Sequence, residues 1–161
     1  MDRFLEECFH PARGRPELRP VEQSTKLARE HLDKAHKNLS AMQLMFDHDH
    51  FDWTVVFGYY AMYHAVRTTL YHIGLAARSH GCAVAAFRRF YIARGHVPEE
   101  YAKFLKRAQQ LKKRYAESLE EARRNRVTVQ YEIEELSNED AAWILEEAKG
   151  FVLQIETVLA G

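Results

Sequence analysis

Cysteine is almost missing from this chain. Cys8 and Cys82 are the only two, far apart and without CxxC spacing. Such usage argues for a reducing compartment and against a thiolate zinc site. Proline is scarce, and three of the four (Pro11, Pro16, Pro20) fall within the first twenty residues. Seven glycines form no run, which excludes a phosphate-cradling glycine loop. Lys+Arg and Asp+Glu both total 23, so no global field favours nucleic acid or a lipid surface. Any such role has to come from a local patch. No Ser-His-Asp order suggests nucleophilic catalysis, and no histidine follows His96. The longest apolar stretch, Trp53 to Ile73, is broken by Thr54, His64, Arg67, Thr68, Thr69 and His72. It reads as a buried helix rather than a membrane span. Met1 to His10 is mixed and acidic, without the basic-then-apolar layout of a signal peptide. A cytoplasmic protein without membrane attachment is expected.

What is present is helical periodicity. Residues 1–20 read as an irregular arm and 21–161 as one helical domain. From Val21 through Ala28, Leu32, Ala35, Leu39, Met42 and Phe46, apolar residues recur mostly at three- and four-residue steps, predicting a helix that ends near Asp47. Asp52 is the expected N-cap of a second helix, 53–74, apolar nearly all round and therefore surrounded by others. Gly74 suits its C-terminal end and Ser79 the start of a shorter helix, 80–94. Pro98 opens a fourth helix running to Arg123, with Tyr101, Phe104, Leu105, Ala108, Leu111, Tyr115, Leu119 and Ala122 inward. A brief extended linker at Val127–Tyr131 and a cap at Ser137 precede the last helix, 138–159. The sum is an all-α fold, an antiparallel up-and-down bundle of four long helices with one extra short helix.

Several residues carry candidate chemistry. Asp47, His48, Asp49, His50 and Asp52 offer carboxylate and imidazole ligands, but alternate residues of a short loop rarely converge on one ion, so no metal and no cofactor is expected. Arg123, Arg124 and Arg126, with Lys112, Lys113 and Arg114 upstream, form a local basic run. It is either a solvated helix face or a phosphate-binding patch. Tyr59, Tyr60, Tyr63 and Tyr71 lie on the central helix, where core packing is the default. Tyr63 and Arg67 are one turn apart and could share a cleft with Arg124.

Asp52-Trp53 leading into Tyr59-Tyr60-Ala61-Met62-Tyr63-His64-Ala65, the Arg78-Ser79-His80-Gly81 turn, and Arg124-Asn125 with Tyr131 together resemble the HEPN family (higher eukaryotes and prokaryotes nucleotide-binding domain). The resemblance spans about 24–159 and implies a helical bundle that often dimerises. Many members sit beside a minimal nucleotidyltransferase in toxin–antitoxin modules. Others cleave RNA without metal through an arginine, a polar residue and a histidine, often with a tyrosine two positions on. By resemblance, Arg124 fills the arginine slot, Asn125 the polar slot and Tyr131 the tyrosine slot. Val129 stands in the histidine slot.

Histidine suits this chemistry because its pKa lies near neutrality, and general acid–base help is worth roughly 10²–10⁴-fold in rate. Valine supplies none of it. Arg124 can still grip phosphate by paired hydrogen bonds. The resemblance therefore implies a non-catalytic or weakly catalytic HEPN protein, a homodimer, that binds nucleotide or RNA around Arg123, Arg124, Asn125, Arg126, Tyr131, Tyr63 and Arg67. It would work with a nucleotidyltransferase that could modify Tyr131. Two other readings stay open: a metal-independent endoribonuclease with His64 as substitute base, and a scaffold whose arginines only make ion pairs.

Overall fold

The structure, a computed structural model, describes residues 2–124 and 138–161, with residues 115–124 described by their backbone alone. The expected linker at Val127–Tyr131 and cap at Ser137 lie outside the described residues. The elements, in order, are α1 (Arg3–Phe9), β1 (Leu18–Pro20), α2 (Thr25–Asp47), α3 (Phe51–His72), β2 (Leu75–Ala77), α4 (His80–Phe87), a π-helical turn (Arg88–Ile92), α5 (Glu100–Arg124) and α6 (Asn138–Ala160). Four long helices and the short α4 make the expected all-α bundle.

Local chemistry sets the boundaries. The Ser24 hydroxyl accepts from the Leu27 amide at 3.1 Å and caps α2. The Ser79 hydroxyl does the same for α4 through the Cys82 amide at 3.2 Å. Asp52 is not the cap of α3: the helix begins one residue earlier, with His50 at the cap position and Asp52 in the first turn. A negative charge in that first turn complements the helix dipole. Gly74 follows α3 at φ +75°, and a Cβ would lie 2.8 Å from the Val21 carbonyl, so only glycine fits this exit.

The helix α3 is the hub. Its buried residues include Val55, Tyr59, Met62, Val66 and Leu70, packed by α2, α5, α6 and α4. At Gly58 side chains of both α2 and α6 press on α3, since a Cβ would stand 2.7 Å from Ile144 Cγ1 and 3.0 Å from Met42 Sδ. Thr68 pins α3 to α2, its hydroxyl lying 3.2 Å from the Ala28 carbonyl and 3.0 Å from that of His64. Phe151 of α6 packs between Phe87 of α4 and Tyr101 of α5, with ring centroids at 5.8 and 5.5 Å. The helices α5 and α6 are antiparallel: Tyr101 meets Phe151 at one end, and Arg107 lies over the Trp143 ring at 4.0 Å at the other.

Two expectations for the N-terminal stretch are corrected. Residues 1–20 are not simply an irregular arm, because Arg3–Phe9 is helical and Leu18–Pro20 pairs antiparallel with Leu75–Ala77. Leu5, Cys8 and Leu18 are buried in the common core. Pro11 and Pro16 punctuate the turn between helix and strand, and the burial that orders the two pieces comes from residues far along the chain. Cys8 and Cys82 are not separate thiols either. They form a disulfide, with Cα atoms 5.8 Å apart, that ties α1 to α4. The β1–β2 pairing closes the intervening chain and brings them together. The argument from cysteine spacing to a reducing compartment therefore loses its footing. No helix among the described residues is long and apolar enough to cross a membrane.

Candidate functional site

Although α3 is buried on most sides, one stripe of it is not. Phe57, Tyr60, His64, Arg67 and Tyr71 are each half-buried and follow one another at steps of three and four residues. That spacing puts them on one line along the helix. By helical rise the line from Tyr60 to Tyr71 is about 16 Å long. An aromatic and basic stripe on an otherwise apolar helix marks a surface rather than a packing seam.

Neighbouring helices supply its walls. On one side, His31 of α2 makes an Nδ1–Nδ1 hydrogen bond of 3.0 Å to His64, and its ring stacks on Tyr71 at 5.3 Å. On the other, His80 at the start of α4 stacks on Tyr63 at 3.9 Å and is hydrogen-bonded through Nδ1 to the Tyr59 hydroxyl at 2.7 Å. Lys112 of α5 places its ammonium 4.7 Å from the Tyr59 ring centroid and 4.6 Å from that of Tyr60. The Arg67 guanidinium lies between Tyr63 and Tyr71, at 6.0 and 5.9 Å from their rings, and donates to the Tyr71 hydroxyl at 3.4 Å.

A cleft flanks each end. One, about 510 Å³, is lined by Tyr59, His80, Lys106, Gln109, Gln110, Lys112 and Lys113. The other, about 530 Å³, includes Tyr71, Arg19, Glu22, Gln23, Ser24 and Lys26. The stripe runs between a lysine-rimmed hollow and one of mixed charge.

The electrostatics agree. Burial, then the positive charges of Arg67 and Lys34 and the neighbouring His64, lower the His31 pKa to about 4. Burial, then Lys34, Arg67 and His80, lower His64 to about 4. Burial, Lys112 and Arg67 push His80 down as well. Burial chiefly raises Tyr59 and Tyr63. At neutral pH these rings are uncharged, and the charge of the groove belongs to Arg67, Lys34 and Lys112.

A pH dependence of stability follows. The unfolded imidazoles titrate near 6.5, whereas His31 and His64 in the fold resist protons down to about 4. Between those values the unfolded chain binds more protons, so stability is fully present above about pH 6.5 and declines as pH falls toward 4. The melting temperature should drop across that window. It should drop less steeply in a His31→Gln/His64→Gln variant, and equal slopes for the two proteins would contradict the assignment.

Of the residues expected from sequence, the structure brings together Tyr63, Arg67 and His64. Arg124 ends α5. Twelve residues separate Lys112 from Arg124, so the C-terminal end of α5 lies about 18 Å further along the helix axis. Asn125, Arg126 and Tyr131 lie outside the described residues, and Arg123 and Arg124 are placed by backbone only. Sequence reasoning missed His31 and assigned no role to Lys112 over the tyrosine rings. The unburied stripe 57-60-64-67-71 was the available signal, as polar and basic residues recur there on an apolar helix.

This bundle, with its Tyr-Ala-Met-Tyr-His word on the hub helix and its Ser-His-Gly turn beside it, is a HEPN fold: the HEPN domain family profile matches residues 28–158, and the chain belongs to that family. Among relatives, UPF0332 protein glr0978 of Gloeobacter violaceus is 31% identical over 81 residues, which cover 50% of this chain. The match spans 64% of that protein's own length, just under two thirds. A protein of Methanocaldococcus jannaschii named "Putative toxin MJ0605" is 23% identical over 128 residues, covering 80% of this chain and 85% of its own.

Proposed function

We propose that this HEPN protein binds the phosphates and bases of RNA or a nucleotide along the α3 groove and the arginine segment beyond it, working in a toxin–antitoxin-like module with a nucleotidyltransferase. One observation carries the binding reading: the half-buried rings of Tyr60 and Tyr71, interleaved with Arg67, Lys34 and Lys112 and opening at both ends into clefts that carry basic residues. Rings offer stacking faces to bases, and cations track a phosphate backbone. Two clefts joined over about 16 Å suit a strand of several nucleotides better than one nucleotide. The toxin name of the archaeal relative and the family itself support the partnership. At the arginine motif, Val129 in the histidine slot leaves a segment that grips anions and moves no proton. A homodimer would set two such segments in one groove.

Fluorescence anisotropy with a labelled single-stranded RNA tests this. Affinity should fall as salt rises, and Arg67→Ala with Lys112→Ala should weaken binding about tenfold or more. Each lost cation should flatten the slope of log affinity against log salt by about 0.7. Absence of binding at low salt, or binding indifferent to both substitutions, would remove the reading.

A further inference from the structure

We propose that the hollow where α3 and α6 both end, walled by apolar side chains and rimmed by Arg94, binds a small aromatic carboxylate. The site is separate from the α3 groove and does not depend on the RNA reading.

The hollow measures about 460 Å³, a size usual for small-molecule sites. Six of its nine lining residues are apolar, so a ligand there must bring an apolar body. Ile73 just past α3, Leu75 of β2, and Val158 and Leu159 of α6 form the aliphatic wall. Phe90 and Tyr91 add two rings to it. The Tyr91 hydroxyl is already engaged, donating to the Thr69 carbonyl at 3.0 Å, so this residue offers the hollow its ring. Aromatic rings favour an aromatic guest through edge-to-face or offset contacts.

The position is distinct from the groove. Leu75 lines this hollow, whereas its neighbour Ala76 lines the one beside Tyr71. Successive residues of a strand face opposite sides, so β2 stands between the two. The π-helical turn carries both rings. Its Ala93 amide donates to the Arg88 carbonyl at 2.8 Å, a five-residue step. Such turns are rare and recur at functional sites. Just beyond it the His96 amide returns to the Tyr91 carbonyl at 2.9 Å, and this fold-back sets Arg94 and His96 on the rim.

The charge of the rim has one sign. None of the described residues lining the hollow is acidic. Arg94 makes no ion pair among the described residues, and its guanidinium lies 5.3 Å from the centre of the Phe90 ring. A guanidinium resting on a ring by its face keeps an edge of N–H groups for paired hydrogen bonds to a carboxylate. His72 and His96, both exposed, add ring nitrogens that can donate. A sugar or a triphosphate would find few partners on the aliphatic wall. Basic side chains also complement the C-terminal ends of helices, and a neutral probe separates that role from ligand recognition.

Titration calorimetry of the full chain at pH 7 compares naphthoate with naphthalenemethanol, which has the same rings and no charge. Naphthoate should bind with a Kd of about 10–500 μM, and the alcohol about tenfold more weakly or less. Arg94→Gln, a change at an exposed side chain, should melt like wild type, lose about tenfold in naphthoate affinity and leave the alcohol unchanged. Leu159→Trp should fill the hollow and abolish binding of both. The Arg67→Ala/Lys112→Ala variant should bind naphthoate as wild type does, which keeps this test apart from that of the groove. Absence of binding at about 2 mM naphthoate, an alcohol that binds as tightly as the carboxylate, or affinity indifferent to Arg94→Gln would overturn the proposal.

Discussion

Phe151→Ala should lower the free energy of unfolding by about 3–5 kcal/mol, the usual range for emptying a large aromatic site in a core. Phe151 is fully buried where α4, α5 and α6 meet, against the rings of Phe87 and Tyr101. Three helices converge there, and none can close the void without moving the other two. Against a total of roughly 5–15 kcal/mol for a domain, such a loss is a large share of stability. The melting temperature should fall by roughly 6–20 °C. Leu153, two residues on and 64% exposed, is the control: its alanine variant should shift stability by less than about 0.5 kcal/mol. Urea unfolding of both variants decides the matter. A Phe151→Ala loss below about 1 kcal/mol would mean that the three-helix junction contributes little.

Removing the Cys8–Cys82 disulfide should have an effect of similar size. The cross-link joins residues 74 apart in sequence. Closing a loop of that length removes denatured-state entropy worth on the order of 4 kcal/mol, and native bridges in small domains typically contribute about 2–5 kcal/mol. Reduction of the wild type and a Cys8→Ser/Cys82→Ser variant should therefore agree, each losing several kcal/mol in urea unfolding. Amide exchange should rise first in α1, whose anchors to the core are Leu5 and the bridge itself. The Ser79–Cys82 turn should loosen with it, and that turn presents His80 to the groove. An oxidised and a reduced protein of equal stability would contradict this account.

The long helices were legible because their burial is written locally. Apolar residues at steps of three and four predict α2, α5 and α6, and Ser79 marks the start of α4 through its own side chain. What was not legible is non-local. The α1 helix has seven residues and too little periodicity to stand out, and β1 exists only because Leu75–Ala77 pairs with it. Cys8 and Cys82 look unrelated until that pairing closes. The π-helical turn at Arg88–Ile92 leaves no periodic trace in five residues.

The site divides in the same way. Tyr63, His64 and Arg67 could be grouped from one helix, since neighbours a turn apart share a face. His31 and Lys112 could not, because the rotation of α2 and α5 about α3 is decided by packing. Gly58 was equally silent, though it lets Ile144 and Met42 close on α3 and so sets that rotation.

Equal numbers of acidic and basic groups make this chain neutral as a whole, yet Arg67, Lys34 and Lys112 gather along one side of α3. A neutral chain with cations gathered locally carries a positive field on that side alone, while its net attraction for a polyanion stays small. Capture would then depend on orientation more than on bulk charge.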